Sequence, residues 1–362
     1  MERCPEDAAL LAAVSGGADS MALLASLCAA VKNGFVKNLF CMHIEHGLRP
    51  AEESQGDAEH VRLFCKANNI ECIVKHIPPG KIASLARRKG IGIEAAARSF
   101  RHKALSKEAA RLGDNTLILL AHTKDDLLET ALMRVLRGVG IAGLAAMRQK
   151  RGKLFRPILN MTRADVIEYL KLKQITWRED STNTDTQFLR NRIRHKLVPL
   201  LNESFPSWKK GIAAMAQTQS LAAEFLAKEA GDRINWDKKI FTTNRTYGSF
   251  TNKHERRGKG FFIYTDEAIF FKQPQIVREE AIFAGINILF SSTAAWRESL
   301  LSNKSIKRKV VRNFCEGNTS AADLGSVRIS RKAGKIILER KRREFFECGI
   351  SRLIIEPRLD NL

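Results

Sequence analysis

An apolar run, Leu10-Leu11-Ala12-Ala13-Val14, breaks into Ser15-Gly16-Gly17-Ala18-Asp19-Ser20 and resumes as Met21-Ala22-Leu23-Leu24. A buried strand that ends in paired glycines and re-enters as a helix specifies a strand–loop–helix unit whose working end is the strand's C-terminus. The helix start there offers unpaired N–H groups and a positive dipole end, and adjacent glycines let phosphate oxygens reach the backbone. Hydroxyls of Ser15 and Ser20 add donors. The kinase and GTPase phosphate loop, Gly-x4-Gly-Lys-Ser/Thr, occurs nowhere in the 362 residues. The 15–20 loop is therefore a phosphate cradle of different wording, with an ordinary tight turn as its bland alternative.

Beyond the loop the chain alternates in period. Residues 19–31, 54–69, 93–112, 125–137 and 163–174 read as helices, and 38–44, 70–76 and 116–121 as strands, with 70–76 exposed or at an edge. Short apolar strands alternating with helices predict an α/β fold with a parallel sheet covered on both faces. Ligands in such sheets sit beyond the strands' carboxyl ends, which gathers 15–20, 43–49 and 122–129 around one crevice. Pro199 and Pro206 bracket a boundary. A helix over 212–234, with Met215, Leu221, Phe225 and Leu226 on one face, links to a smaller α+β region. There 238–251 and 260–271 are β-prone, 274–289 is helical, and 326–339 forms a hairpin around Ala333-Gly334.

Charge narrows the partners. Lys and Arg number 61 against 39 Asp and Glu, a formal net charge of +22, which points to a polyanion, nucleic acid first. The seven cysteines are odd in number, widely spaced and without a Cys-x-x-Cys, so their spacing indicates neither a disulfide framework nor a zinc or iron–sulfur site. Acidic Glu6 and Asp7 precede a run that enters the glycine loop, unlike a secretory leader. No uncharged segment is long enough to span a bilayer. The expectation is a cytoplasmic protein with no membrane partner.

His122, Asp125, Asp126 and Glu129 end one strand and open a helix. Their carboxylates can hold Mg²⁺ or a cationic substrate, with helix capping as the plainer role, above all for Asp126. Arg134 and Arg137 close that helix before Gly138 and Gly140, where a phosphate backbone could approach. Glu94 and Arg98 are spaced for a surface ion pair, with a phosphate contact as the sharper role for Arg98. His43 stands at a strand-end turn, without metal spacing to its neighbours. Arg190, Arg192 and Arg194 form a basic run suited to RNA phosphates.

The hexapeptide 15–20 resembles the pyrophosphate loop of ATP pyrophosphatases, which split ATP into AMP and pyrophosphate while adenylating a carbonyl oxygen. Taken in order, the blocks at 15–20, 43–49 (His-Ile-Glu-His-Gly-Leu-Arg), 94–101, 122–129, 137–147, Arg156-Pro157 and 177–199 resemble the tRNA(Ile)-lysidine synthetase family. The resemblance implies a PP-loop domain of adenine nucleotide alpha hydrolase-like fold at 1–205, a helical linker at 206–235 and a tRNA-binding α+β domain at 236–362. It implies ATP and Mg²⁺ as cofactors, and L-lysine and an isoleucine tRNA with a CAU anticodon as substrates. Lysine's ε-amino group would displace AMP from the adenylated 2-carbonyl of the wobble cytidine.

By the same resemblance Ser15, Gly16, Gly17, Ala18, Asp19, Ser20, His43 and Arg98 bind ATP, and Asp19, His122, Asp125 and Asp126 are catalytic. Asp125, Asp126, Glu129, Arg137, Arg190, Arg192 and Arg194 meet lysine or tRNA, and Asp19 and Asp125 hold the metal. The family commonly reads Ala-His-His-x-Asp-Asp-Gln where this chain has Thr123 and Leu127, and the match beyond residue 200 is loose. Two alternatives stand beside this reading: a PP-loop tRNA thiolase and a basic RNA-binding protein without catalysis. The oligomeric state is left open, with a homodimer as one option.

Overall fold

The structure, a computed structural model, describes residues 8–48, 51–144, 147–179, 189–247, 254–291, 306 and 308–341. Outside the described residues lie Glu6 and Asp7, Cys4 and Cys348, Arg49 of the 43–49 block, and the second half of the polar stretch that begins at Trp177. Two compact units divide at 221/222.

In the first unit β1 (Ala9–Ala13) runs through the glycine loop into α1 (Ala18–Lys32). β2 (Asn38–Glu45), α2 (Ala51–Ala67), β3 (Glu71–His76), α3 (Lys81–Lys89), α4 (Ile93–Leu112), β4 (Leu117–Leu120) and α5 (Lys124–Leu136) complete the alternation. β1 pairs in parallel with both β2 and β4, and β2 with β3. The chain therefore steps outward from β1 to β3, then returns to the other flank of β1. That reversal is a topological switch point, which opens a crevice beyond the carboxyl ends of β1 and β4. The loops leaving those strands carry Ser15 and His122.

After a helical turn, α6 (Ile141–Leu144), the short hairpin of β5 (Lys150–Arg151) and β6 (Leu154–Phe155) adds to β4, giving the order β3-β2-β1-β4-β6-β5. α7 (Arg163–Leu172) follows. Both sheet faces are dry. Leu10 and Ala12 pack with Met21, Leu24, Val166 and Leu170 on one side, and Leu11 with Met42, Leu105 and Ile118 on the other. α1 is apolar nearly all round because α7 covers what the sheet does not. α8 (Leu189–Arg192), a π-turn at Ile193–Leu197, α9 (Val198–Ser204) and α10 (Trp208–Arg233) end the unit, α10 running across the division.

The second unit is an antiparallel sheet in the order β7-β8-β11-β10-β9. Its strands are β7 (Asp237–Tyr247), β8 (His254–Asp266), β9 (Ala321–Leu324), β10 (Val327–Lys332) and β11 (Lys335–Arg340). The expected hairpin is β10–β11, turning at Ala333-Gly334 with both φ values positive, 47° and 68°. α11 (Glu267–Lys272), α12 (Gln275–Ser291) and the helix Arg308–Cys315 bury Phe270, Ile282 and Phe314 against it. Gly285 sits mid-helix because a Cβ there would meet Leu338 and Trp236 at 2.7 Å.

Two expectations change. The β-prone run 260–271 stops at Asp266, whose carboxylate accepts from the N–H groups of Ala268 and Ile269 and starts α11 instead. On α10 the expected apolar face splits. Leu226 is buried, whereas Leu221 and Phe225, one helical stripe away, are each 62% exposed.

Candidate functional site

The loop is held by its own hydroxyls. Ser20 Oγ accepts from the Ser15 N–H at 3.1 Å and donates to the Gly17 carbonyl at 2.8 Å, and it lies 3.1 Å from Ser15 Oγ. Gly16 adopts φ 92°, which an L side chain would enter only under strain. Gly17 does not: its φ is −75°, it stands at the N-cap of α1 without a capping side chain, and a Cβ would meet nothing nearer than 3.6 Å. Neither backbone angle nor space therefore demands a glycine at 17, and the missing Cβ leaves the start of α1 open to close approach.

A strap closes over the loop from behind. The Arg178 N–H donates to the Gly16 carbonyl at 3.0 Å, while its guanidinium pairs at 3.1 Å with Asp57, a buried carboxylate on α2. His43, also buried, has Nδ1 2.9 Å from the carbonyl of Val14, the residue preceding the loop. A carbonyl only accepts, so Nδ1 carries the proton and Nε2 keeps its lone pair. Burial lowers the His43 pKa and keeps the ring neutral.

Across the switch point Thr123 is the N-cap of α5, forming a reciprocal capping box with Asp126. The change from the family's second His therefore installs a cap. Asp125 accepts from the Arg163 N–H at 2.6 Å, and the Arg163 guanidinium reaches Asp19 at 2.5 Å, so the two carboxylates assigned to a metal converge on one residue. Sequence reasoning misses Arg163; its only signal is its position as first residue of a helix after Thr162. The Asp19 pKa is raised by burial, against the pull of Arg163, and its Oδ1 is buried without a partner. An orphaned carboxylate oxygen facing a phosphate cradle fits a cation.

Asp126 and Glu129 are both buried and both paired. Arg190 reaches Asp126 at 2.7 Å and Glu129 at 2.9 Å, and Arg194 donates to Glu129 at 2.6 and 3.0 Å. Two of the three arginines of the 190–194 run thus neutralise the acidic pair, with the π-turn beginning between them. Arg192 faces solvent, and so does Arg137, which caps the far end of α5.

Beside the pair lies a basic cluster. His122 Nδ1 accepts from Arg156 Nε at 3.2 Å, so its proton sits on Nε2. Burial first, then the nearby charges of Arg156, Arg98 and Arg101, push the His122 pKa down to about 4 despite Asp126. His102 is likewise lowered to about 4 by burial and the same arginines. Desolvation and mutual repulsion lower Arg98, Arg101, Arg134 and Arg156, and Arg101 Nε is buried with no partner. Guanidinium groups stay charged at neutral pH, so such a cluster gains from an anion.

Three cysteines that are separated in sequence come together in the fold. Cys41 and Cys72 are register partners on β2 and β3, and Cys65 lies on α2 between them; their three sulfurs lie within 4.8 Å of one another.

A family model described as a PP-loop domain matches residues 2–201. Curated relatives named tRNA(Ile)-lysidine synthase align with the same part. That of Treponema denticola is 41% identical over 203 residues, which is 56% of this chain and 44% of the relative. That of Thermus thermophilus is 35% identical over 237 residues, 66% and 44% of the two chains. The chain covers less than half the length of these relatives. Among solved structures, the U34-tRNA thiolase NcsA from Methanococcus maripaludis, with its 4Fe-4S cluster, overlays at a TM-score of 0.49 and 15% identity, covering 61% of this chain and 74% of that one. With the family model matched over more than half of its residues, this chain belongs to the PP-loop family.

Proposed function

We propose that this chain is an ATP-dependent ligase that builds lysidine on tRNA. It would adenylate the 2-carbonyl of the wobble cytidine in an isoleucine tRNA with a CAU anticodon, then join L-lysine through its ε-amino group, releasing AMP and pyrophosphate. The observation that carries the reading is the juxtaposition, beyond the carboxyl ends of β1 and β4, of a glycine phosphate cradle, an orphaned Asp19 oxygen, a buried acidic pair and a cluster of arginines. Similarity to relatives named tRNA(Ile)-lysidine synthase supports the choice of substrate. The net charge of +22 suits an RNA partner.

In this reading Ser15 and Ser20 hold the loop in shape, and the N–H groups of the first turn of α1, from Ala18 on, would donate to the pyrophosphate as it leaves and stabilise the negative charge that develops on it. Asp19 and Asp125 would hold Mg²⁺, which supplies charge neutralisation for the triphosphate when bound. His43 presents a lone pair at the strand end, suited to a purine amino group, and Arg98 turns its charge toward phosphate. His122, neutral with its proton on Nε2, is a donor that orients the activated base, not a base that strips lysine's ammonium. Asp126 and Glu129 favour the lysine cation, in competition with Arg190 and Arg194. The C-terminal domain expected at 236–362 would grip the tRNA. Sulfur transfer by a free thiol finds no support at Cys41 and Cys65, which are almost wholly buried.

The test is incorporation of labelled lysine into isoleucine tRNA transcripts with a CAU anticodon in the presence of Mg·ATP, beside an elongator methionine tRNA. Label confined to the isoleucine transcript, dependent on ATP and lost in Asp19→Asn, is the expected result. Folded protein that binds the transcript without ever labelling it would sink the proposal in favour of RNA binding alone.

A further inference from the structure

Cys41, Cys65 and Cys72 come from three different elements and meet in the core between α2 and the β2–β3 edge of the sheet. The meeting is built by the backbone. β2 and β3 set Cys41 directly opposite Cys72. The turn between α2 and β3 folds back on Cys65, whose carbonyl accepts from the N–H groups of Asn68 and Ile70 at 3.1 and 2.9 Å, with Asn69 in the left-handed region at φ 55°. Cys65 and Cys72 are thereby held over the same spot. Cys41 and Cys65 are 0% and 1% exposed, and Cys72 is half-buried, the most open of the three.

Three sulfurs mutually within 4.8 Å approach the ~3.8 Å separation that Zn–S bonds of about 2.3 Å subtend at a tetrahedral centre. We propose that Cys41, Cys65 and Cys72 form a three-thiolate site for a soft d10 cation, Zn²⁺ foremost. Water or an exchangeable ligand would take the fourth position on the Cys72 side. Thiolates select such ions over the hard Mg²⁺ of nucleotide chemistry, so the two metals would not compete for sites. The bound ion would cross-link β2, β3 and α2. Those elements carry His43, two residues beyond Cys41 and bonded to Val14 just before the loop, and Asp57, the anchor of the Arg178 strap. The metal would therefore stiffen the back wall of the crevice without touching its ligands. Without a metal, the two buried thiols and their half-buried neighbour would only fill space as small apolar groups.

The experiment is metal analysis of the full chain produced with zinc supplied and purified without chelator, followed by cobalt exchange. A stoichiometric equivalent of zinc that survives dialysis is expected, as is a thiolate-to-cobalt charge-transfer band after exchange. Both should be lost in Cys65→Ser and in Cys72→Ser but kept in Cys28→Ser, which alters a buried cysteine of the same core outside the triad. Chelator should lower the melting temperature of the wild type by several degrees and leave that of Cys72→Ser unmoved. Folded wild-type protein that holds only trace zinc and no cobalt band overturns the proposal, as does peptide mapping that finds a Cys41–Cys72 disulfide. These readouts need no turnover, so they stand whether or not the chain makes lysidine.

Discussion

His122 is the residue whose chemistry the structure narrows most. A histidine between a carboxylate and an incoming ammonium suggests a general base, yet this ring is partly buried, accepts at Nδ1 from Arg156 and is pushed down to about 4 from 6.5. Between those values the unfolded chain binds a proton that the folded chain refuses, so stability rises with pH across the window. The contribution is complete above the unfolded value and is lost as pH falls toward the folded one. His102, also lowered to about 4, adds a second slope of the same sign. His122→Gln should therefore flatten the dependence of melting temperature on pH between 4 and 6.5, and the wild-type His122 ring protons should shift with a midpoint near 4 in an NMR titration. A midpoint near 6.5 would return the residue to the role of base.

At the scale of elements, the site depends on α5 and the α8–π-turn segment facing each other through charge. Glu129, with 5% side-chain exposure, receives three guanidinium N–H bonds, while Arg190 and Arg194 remain 27% and 40% exposed. Glu129→Gln removes the charge and leaves both arginines to Asp126 alone. Breaking a fully buried pair costs about 3–5 kcal/mol, and the solvent reaching these arginines trims that to about 2 kcal/mol. The melting temperature should then fall by roughly 4–8 °C. An unchanged melt would mean that the pairs form only transiently. This contact also shows where the sequence stops being readable. The strand–loop–helix unit is plain from Leu10 to Leu24, because an unbroken apolar run followed by Gly-Gly has one economical fold, and the β4–α5 junction is plain for similar reasons. Both depend on neighbours in sequence. That Arg190 turns inward to Glu129, that Arg163 joins Asp19 to Asp125, or that three distant cysteines converge depends on strand order and register, which no local pattern encodes. β5 and β6, two residues each, are too short for any period to register.

For the whole molecule, the net charge of +22 predicts strong, salt-sensitive attraction to a polyanion, tRNA in the proposed function, but the structure separates arginines that can serve it from those already engaged. Each phosphate neutralised releases counterions and adds about 0.7–0.9 to the slope of log affinity against log salt. Arg192 and Arg137 are exposed, whereas Arg190 and Arg194 are spent on Asp126 and Glu129. Arg192→Ala should therefore lower the slope for tRNA binding by about one and leave the melting temperature near that of the wild type. Arg190→Ala should do the opposite, keeping the slope while lowering stability, because it uncovers two buried carboxylates. Titrations of both variants across a range of salt, read beside their melts, decide the matter. If Arg190→Ala flattens the slope as much as Arg192→Ala does, the guanidinium leaves its carboxylates when RNA arrives, and the acidic pair is then exposed to lysine only in the tRNA complex.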